Sequence, residues 1–154
     1  MALADLIAQN AVLPALKANS KKQLLQEMSA KAASLTGLPE REIFDVILQR
    51  ERLGSTGVGN GIAIPHGKMP HLDQIVGVFA RLEQPVDFEA LDDEPVDLVV
   101  LLLAPEGAGA DHLKALSRIA RVMRDGDLVE KMRATDDAAS LYTFLSNSQA
   151  SNAA

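Results

Sequence analysis

One stretch constrains this chain more than any other: the segment VDLVVLLLA, from Val96 to Ala104. Apart from Asp97 it is apolar at odd and even positions alike, so as a strand it must be covered on both faces. Helices on the two sides of a sheet meet that demand, and helical patterning surrounds it. Ser20 and Gln23 form a capping-box pattern ahead of Leu24, Met28, Ala32 and Leu35 at helical spacing. Gly37 and Pro39 separate that helix from a second, expected over Glu40 to Leu53 and ended by Gly54. Three more are expected over Asp111 to Arg124, Leu128 to Ala134 and Asp136 to Leu145, the middle one capped by Asp127 with Glu130. Ile75 to Leu82 reads as a second strand followed by a loop that includes Pro85. GSTGVGNG, 54–61, reads as a glycine-dense loop, and IAIPHG, 62–67, as a short strand running into a turn. The expected fold class is α/β in three layers, with helices on both faces of a small mixed β-sheet. One domain is expected over 1–146, with 147–154 as a flexible polar tail.

The 154 residues suit a single domain that folds without staples, and the chain has no cysteine. That excludes disulfides, thiolate metal ligands and cysteine nucleophiles. Asp and Glu outnumber Lys and Arg by 21 to 15, a formal net charge of −6, which disfavours non-specific binding to nucleic acid or anionic lipid. With no Trp and one Tyr, a platform for stacking bases is not expected. The opening MALADLIAQN lacks the basic run of a secretory signal, and Leu98 to Ala104 is too short to span a bilayer. The expectation is a cytoplasmic protein with no nucleic-acid partner and no membrane insertion.

Three residues stand out as candidates for chemistry. His66 lies between Pro65, which restrains the backbone, and Gly67, which leaves room for a close approach. An unperturbed imidazole titrates near ~6.5, so most of it is neutral and nucleophilic at neutral pH. The alternative is a turn histidine that caps a carbonyl. Arg50 continues the apolar face of Ile43, Val46 and Ile47, near the end of a helix that enters the glycine loop. It either offers a planar guanidinium to a phosphate, or turns to solvent or pairs with Glu42 or Glu51. His112 precedes Leu116, Ile119 and Met123 on one helical face, so it points inward at a first turn, where anions are attracted and a histidine's pKa is lowered. It is either a third arm of an anion site or a satisfied core histidine. His71, beside Pro70, is expected to be exposed. Competing motifs fail on spacing. A strand follows Gly57-Val58-Gly59-Asn60-Gly61 where a dinucleotide fingerprint needs a helix, and Met69 follows Gly67-Lys68 where a P-loop needs Ser or Thr. No metal-ligand pattern of the HExxH type is present.

The run RERLGSTGVGNGIAIPHGK, Arg50 to Lys68, resembles the active-site segment of the mannitol/fructose-type enzyme IIA domains of the bacterial phosphotransferase system. Pro85 to Asp125 is most similar to the nitrogen-regulatory branch of that family. The resemblance implies that His66 is the phosphorylated histidine, Arg50 the phosphate-supporting arginine and His112 its neighbour. It implies a helix-covered mixed sheet and transfer of a phosphoryl group from a small histidine phosphocarrier protein upstream. No metal or organic cofactor is implied. Amides of the loop at Ser55, Thr56, Gly57, Gly59, Asn60 and Gly61 would support the group, and regulatory protein targets lie downstream. Asn60 stands where some sugar-transport members have a glutamate, so a carboxylate's role does not carry over there. Three other readings stay open: a sugar-transport carrier feeding a IIB domain, a binding module that is never phosphorylated, and a histidine-based metallohydrolase.

Overall fold

In the computed structural model, which describes residues 3–153 and the side chains of 3–147, the strand predicted at Val96 organises everything else. The elements in chain order are α1 (Leu3–Leu6), a 3-10 turn (Gln9–Ala11), β1 (Val12–Leu16), α2 (Lys21–Thr36), α3 (Glu40–Arg52), β2 (Gly57–Gly59), β3 (Ile62–Ala63), β4 (His66–Met69), β5 (Val76–Val86), β6 (Val96–Pro105), α4 (Ala110–Val122), α5 (Gly126–Arg133) and α6 (Ala138–Ala153). The strands form one mixed sheet in the order β1-β5-β6-β3-β2, with β4 also paired to β6. β6 meets β5 antiparallel on one edge, and β3 and then β4 parallel on the other.

The two-sided apolar pattern of β6 splits the core by residue parity. Leu98, Val100 and Leu102 join Ile62, Ile64 and Phe79 beneath α1, α4, α5 and α6. Val99, Leu101 and Leu103 join Ala63, Val78 and Ala80 beneath α2 and α3. Three layers with helices on both faces are therefore present, as expected.

The caps explain where the helices begin. Ser20 Oγ accepts from the Gln23 N–H at 3.1 Å, and Gln23 Oε1 accepts from the Asn19 N–H at 2.7 Å. α2 ends at Gly37, whose left-handed φ of 79° only glycine adopts cheaply. The cap expected at Asp127 is instead at Asp125, whose carboxylate accepts from the Leu128 N–H at 3.2 Å. Gly126 opens α5, while Glu130 pairs with Arg133. Asp137 caps the last helix through the Ser140 N–H and hydroxyl. The last helix, expected to end at Leu145, runs on to Ala153 through most of the stretch expected as a polar tail from 147.

Three further expectations are corrected. The glycine-dense segment is a hairpin, because Asn60 and Gly61 take positive φ of 57° and 81° and turn β2 back onto β3. Asn-Gly is the pair such a primed turn favours, since both central residues need left-handed backbone. Pro85 lies within β5: the pairing with β6 lapses after Arg81 and resumes at Val86, and a proline without an N–H is tolerated in that irregular stretch. The first sixteen residues, given no element in the sequence reading, supply β1, which pairs parallel to β5. Its alternation is broken by Pro14, and long-range pairing supplies what the local pattern lacks.

Gly67 also has a different task from the one expected. A Cβ there would lie 2.5 Å from Val46 Cγ1 and 3.4 Å from Ile47 Cδ1, so it faces α3 and lets that helix sit close on β4. Gly67→Ala should destabilise the fold by about 1–3 kcal/mol through overpacking. Urea unfolding at pH 7.5 checks this, and an unchanged midpoint would show that α3 is not seated on Gly67.

Candidate functional site

β3 and β4 act as one strand with a break. Ile62 lies opposite Leu98 and His66 opposite Leu102, so the register along β6 is kept across Ile64 and Pro65. Pro65 has no N–H to give, yet its carbonyl accepts from the Leu102 N–H at 2.9 Å. Parity then sets the direction of each side chain. Gly67 faces α3, so His66 stands on the opposite face, under α4. It is not in the turn expected from the sequence but at the start of β4, within the sheet.

α4 follows the carboxyl end of β6, so its first turn hangs over the parallel strands where α/β proteins commonly place ligands. His112 lies in that first turn, 7% exposed, with its ring centroid 5.6 Å from that of His66 and the planes tilted by 54°. The inward direction read from its helical spacing brings the two histidines together.

A backbone carbonyl sets the tautomer of His66. Its Nδ1 lies 2.9 Å from the Ile64 carbonyl oxygen. A carbonyl only accepts, so Nδ1 is the donor, and in the neutral ring the lone pair is on Nε2. His112 differs: its Nδ1 is buried with no hydrogen-bond partner among the described residues. Burial, then the nearby charges of His66 and Lys68, hold its pKa below the ordinary histidine value. The helix N-terminus invoked in the sequence reading is thus not the main cause.

Arg50 lies in the last turn of α3, the helix whose Val46 and Ile47 pack on Gly67. Its Nη1 donates to the Gly54 carbonyl at 3.0 Å. It is not paired with Glu51, whose carboxylate is taken by Lys21 at 3.0 Å and by the Thr56 N–H at 3.1 Å and hydroxyl. The Thr56 carbonyl accepts from Ile64 N–H at 3.0 Å, so the chain from Gly54 to Thr56 runs beside the strand entering His66. Arg50 is therefore tied to the segment flanking His66, while no direct contact with either histidine is among its interactions. His71 is exposed, at a φ of 64° in the turn after β4.

The rest of the glycine segment serves the scaffold. Asn60 N–H donates to Asp92 at 3.0 Å and Gly57 N–H to Ser55 Oγ at 3.0 Å, and Ser55 Oγ donates to the Phe88 carbonyl at 3.3 Å. Arg133 holds Asp97 through Nε at 3.0 Å to both oxygens and also reaches the Asn60 carbonyl. Gly59 joins Asn60 and Gly61 in the positive φ of the hairpin, which precedes His66 along β3. Sequence reasoning missed Glu51, Asp92 and Arg133 as the anchors of this segment. Their long-range partners, Lys21 for Glu51, Asn60 for Asp92 and Asp97 for Arg133, are not marked by any local pattern.

A histidine whose Nδ1 is held by a backbone carbonyl thus stands beside a second histidine in the first turn of a helix, within a three-layer α/β fold. Residues 5–148 match the family described as "Phosphoenolpyruvate-dependent sugar phosphotransferase system, EIIA 2", and the chain belongs to it. Its likeness runs to the nitrogen-regulatory branch. It is 64% identical over 145 residues to a nitrogen regulatory protein of Bradyrhizobium diazoefficiens, covering 94% of this chain and 95% of that one. The crystal structure of nitrogen regulatory protein IIA-Ntr from Neisseria meningitidis superposes with a TM-score of 0.88 at 32% identity, over 93% of this chain and 98% of that one. The mannitol IIA of Escherichia coli shares the fold, with a TM-score of 0.75 at 23% identity over 90% of this chain and 96% of that one. No helix among the described residues is long and apolar enough to cross a membrane.

The lowered pKa of His112 gives stability a definite pH dependence. The folded protein holds this proton less well than the unfolded chain, whose histidine titrates near ~6.5. The stabilisation from keeping His112 neutral is complete above that value and is lost as the pH falls below it. Wild type should therefore lose more of its thermal midpoint between pH 7.5 and 5.5 than His112→Gln does. Equal losses in the two proteins would show that His112 is not the titrating group.

Proposed function

We propose that this protein is a cytoplasmic phosphocarrier of the nitrogen-regulatory type, phosphorylated on His66 Nε2 by a small histidine phosphocarrier protein. The observation that carries this reading is the His66 Nδ1–H bond to the Ile64 carbonyl, which leaves Nε2 as a nucleophile in a fixed ring orientation. In the transfer, the Nε2 lone pair forms a P–N bond while the donor's P–N bond breaks in line. The electron pair returns to the donor imidazole. The moving group spreads its charge over three equatorial oxygens, so the protein's part is alignment and charge stabilisation.

His112 supports this role through its position. It is neutral before transfer, and a phosphoryl group of about −2 charge on His66 would raise its proton affinity. It would then donate to a phosphoryl oxygen as a cation. Arg50 would leave or share the Gly54 carbonyl to meet another oxygen, with a planar fork suited to that task. Among the loop residues, the N–H groups of Thr56, Gly57 and Asn60 are engaged within the protein, so the loop's contribution is to shape and hold the segment beside His66. The site needs no metal or organic cofactor for these steps.

The downstream role follows from the charge change. A target that docks over His66 meets either a neutral imidazole or a dianion, and desolvation and repulsion separate the two by a few kcal/mol. The branch to which the chain is similar favours regulatory targets over onward transfer to a IIB domain.

His66→Ala should fold and gain no phosphate when incubated with phosphoenolpyruvate and the two upstream relay proteins, as read by intact mass. Arg50→Ala and His112→Ala should slow uptake about a hundredfold, the usual effect of removing one preorganised donor of ~3 kcal/mol. A phosphorylated His66→Ala protein would overturn the site, and near-wild-type rates for both other variants would remove their role. Efficient transfer to purified sugar-specific IIB domains, without a partner sensitive to the phosphorylation state, would replace regulation by transport.

A further inference from the structure

β4 puts a second side chain on the same face as His66. Gly67 and Met69 turn toward α3 and the core beneath it, so pleat parity places His66 and Lys68 together on the opposite side. His66 is half-buried there beside His112, whereas Lys68 is exposed. The two residues are about 6.6 Å apart along the strand, a gap that the four-carbon stem of a lysine spans. Lys68 takes part in none of the ion pairs among the described residues. The acids of the adjoining segments are Asp73 after β4, Glu106 after β6 and Asp111 in the first turn of α4. All three are exposed, and none is paired with Lys68.

The charge of Lys68 is felt at the site. After burial and His66, it is a further cause of the lowered proton affinity of His112, although its own side chain stands in solvent. The other groups proposed to meet the phosphoryl oxygens are less ready. Arg50 donates to the Gly54 carbonyl, and His112 holds a proton less firmly than an ordinary histidine. Lys68 is a full, unpaired charge already in place on the His66 face. Among the described residues β4 pairs with β6 alone, so Lys68 also stands on an open sheet edge, where a lysine discourages pairing with another strand. That duty is met by a charge on either face of the strand and does not call for the face that carries His66.

Resting on the phosphocarrier reading of His66, we propose that Lys68 is a phosphoryl-binding residue, whose ammonium swings onto an oxygen of the group carried by His66 and holds that group as a dianion. A lysine suits this task because its three donors rotate and impose no planar geometry on the acceptor. Its stem also leaves solvent without breaking a contact that the resting protein needs. The same charge acts in both states of the site. Before transfer it repels a proton from His112, and after transfer it offsets the two negative charges that arrive on His66.

The test uses the full chain, Lys68→Gln and Lys68→Arg, each labelled with phosphoramidate, whose P–N bond breaks to release ammonia as His66 Nε2 takes the phosphoryl group. Peptide mass locates the label, and phosphorus NMR follows its titration. Lys68→Gln should take up phosphate on His66 about tenfold more slowly than wild type, the usual effect of losing one hydrogen bond to a charged group. Its phosphoryl group should also protonate at a higher pH than in wild type, because a neighbouring cation favours the dianion. Lys68→Arg should restore both properties. A third readout needs no variant: in wild type the Lys68 Cε resonance should move on phosphorylation while that of exposed Lys114 stays in place. If wild type gains no phosphate on His66, the phosphocarrier reading falls and Lys68 falls with it. If wild type and Lys68→Gln label His66 at the same rate and titrate together, or the Lys68 resonance does not move, Lys68 is an edge charge only and this inference alone is wrong. A slower Lys68→Gln with an unchanged phosphoryl titration would mark a structural effect and overturn it equally.

Discussion

The pairing of β6 with a broken strand on one edge and an unbroken one on the other is the constraint on which this structure depends. β6 is buried on both faces, so its neighbours and the helices above and below them must fit its register. A one-residue slip would exchange the two halves of the core and turn every side chain to the wrong layer. That rigidity passes to β4, because His66 is held opposite Leu102 by the ladder that places Ile62 opposite Leu98. The orientation of the proposed nucleophile is thus a consequence of core packing, with the Ile64 carbonyl adding the proton's position.

The two sides of the site are built differently. The α4 side is a packing arrangement in which His112 is buried beside His66 and its pKa is lowered, first by that burial. The α3 side is a polar arrangement. Glu51 is buried with 6% exposure and is tolerated because Lys21 and Thr56 satisfy it. Lys21 in turn lies 4.6 Å above the Phe88 ring, which ties the start of α2 and the loop after β5 to the end of α3. Arg50, next to Glu51 in sequence, is left with a backbone carbonyl as partner. A weakly held guanidinium beside a tightly held carboxylate is a suitable reserve for an incoming anion.

On the proposed reading, a signal carried by one charged group needs little motion, and several long-range side-chain links tie the elements together. The hairpin at Asn60 and Gly61 is clamped to Asp92, Asp97 and Arg133, and Arg81 links the end of α5 back to β1 through the carbonyls of Arg133 and Pro14. Such a frame favours an electrostatic signal at the surface over a change of fold.

The sequence by itself determined the layers, the helix faces and the inward direction of His112. These depend on periodicity, and a run such as Val96 to Ala104 has few ways to be buried. It also singled out His66 and Arg50 by type and by motif. It did not reveal that His66 belongs to a strand, because β4 is short and owes its conformation to β6. The Asn-Gly hairpin was written in the chain but masked by the surrounding glycines. Gly67 looked like an opening for a partner, and only the seat of α3 showed it to be a packing position. Asp125 rather than Asp127 capped α5, a choice between near neighbours that local propensity does not resolve. Glu51, Asp92 and Arg133 were silent in the sequence because each works through a residue distant in sequence or on another element. Tertiary structure alone decided those, since a charge's role depends on what is folded against it, while a side chain's face depends only on its spacing.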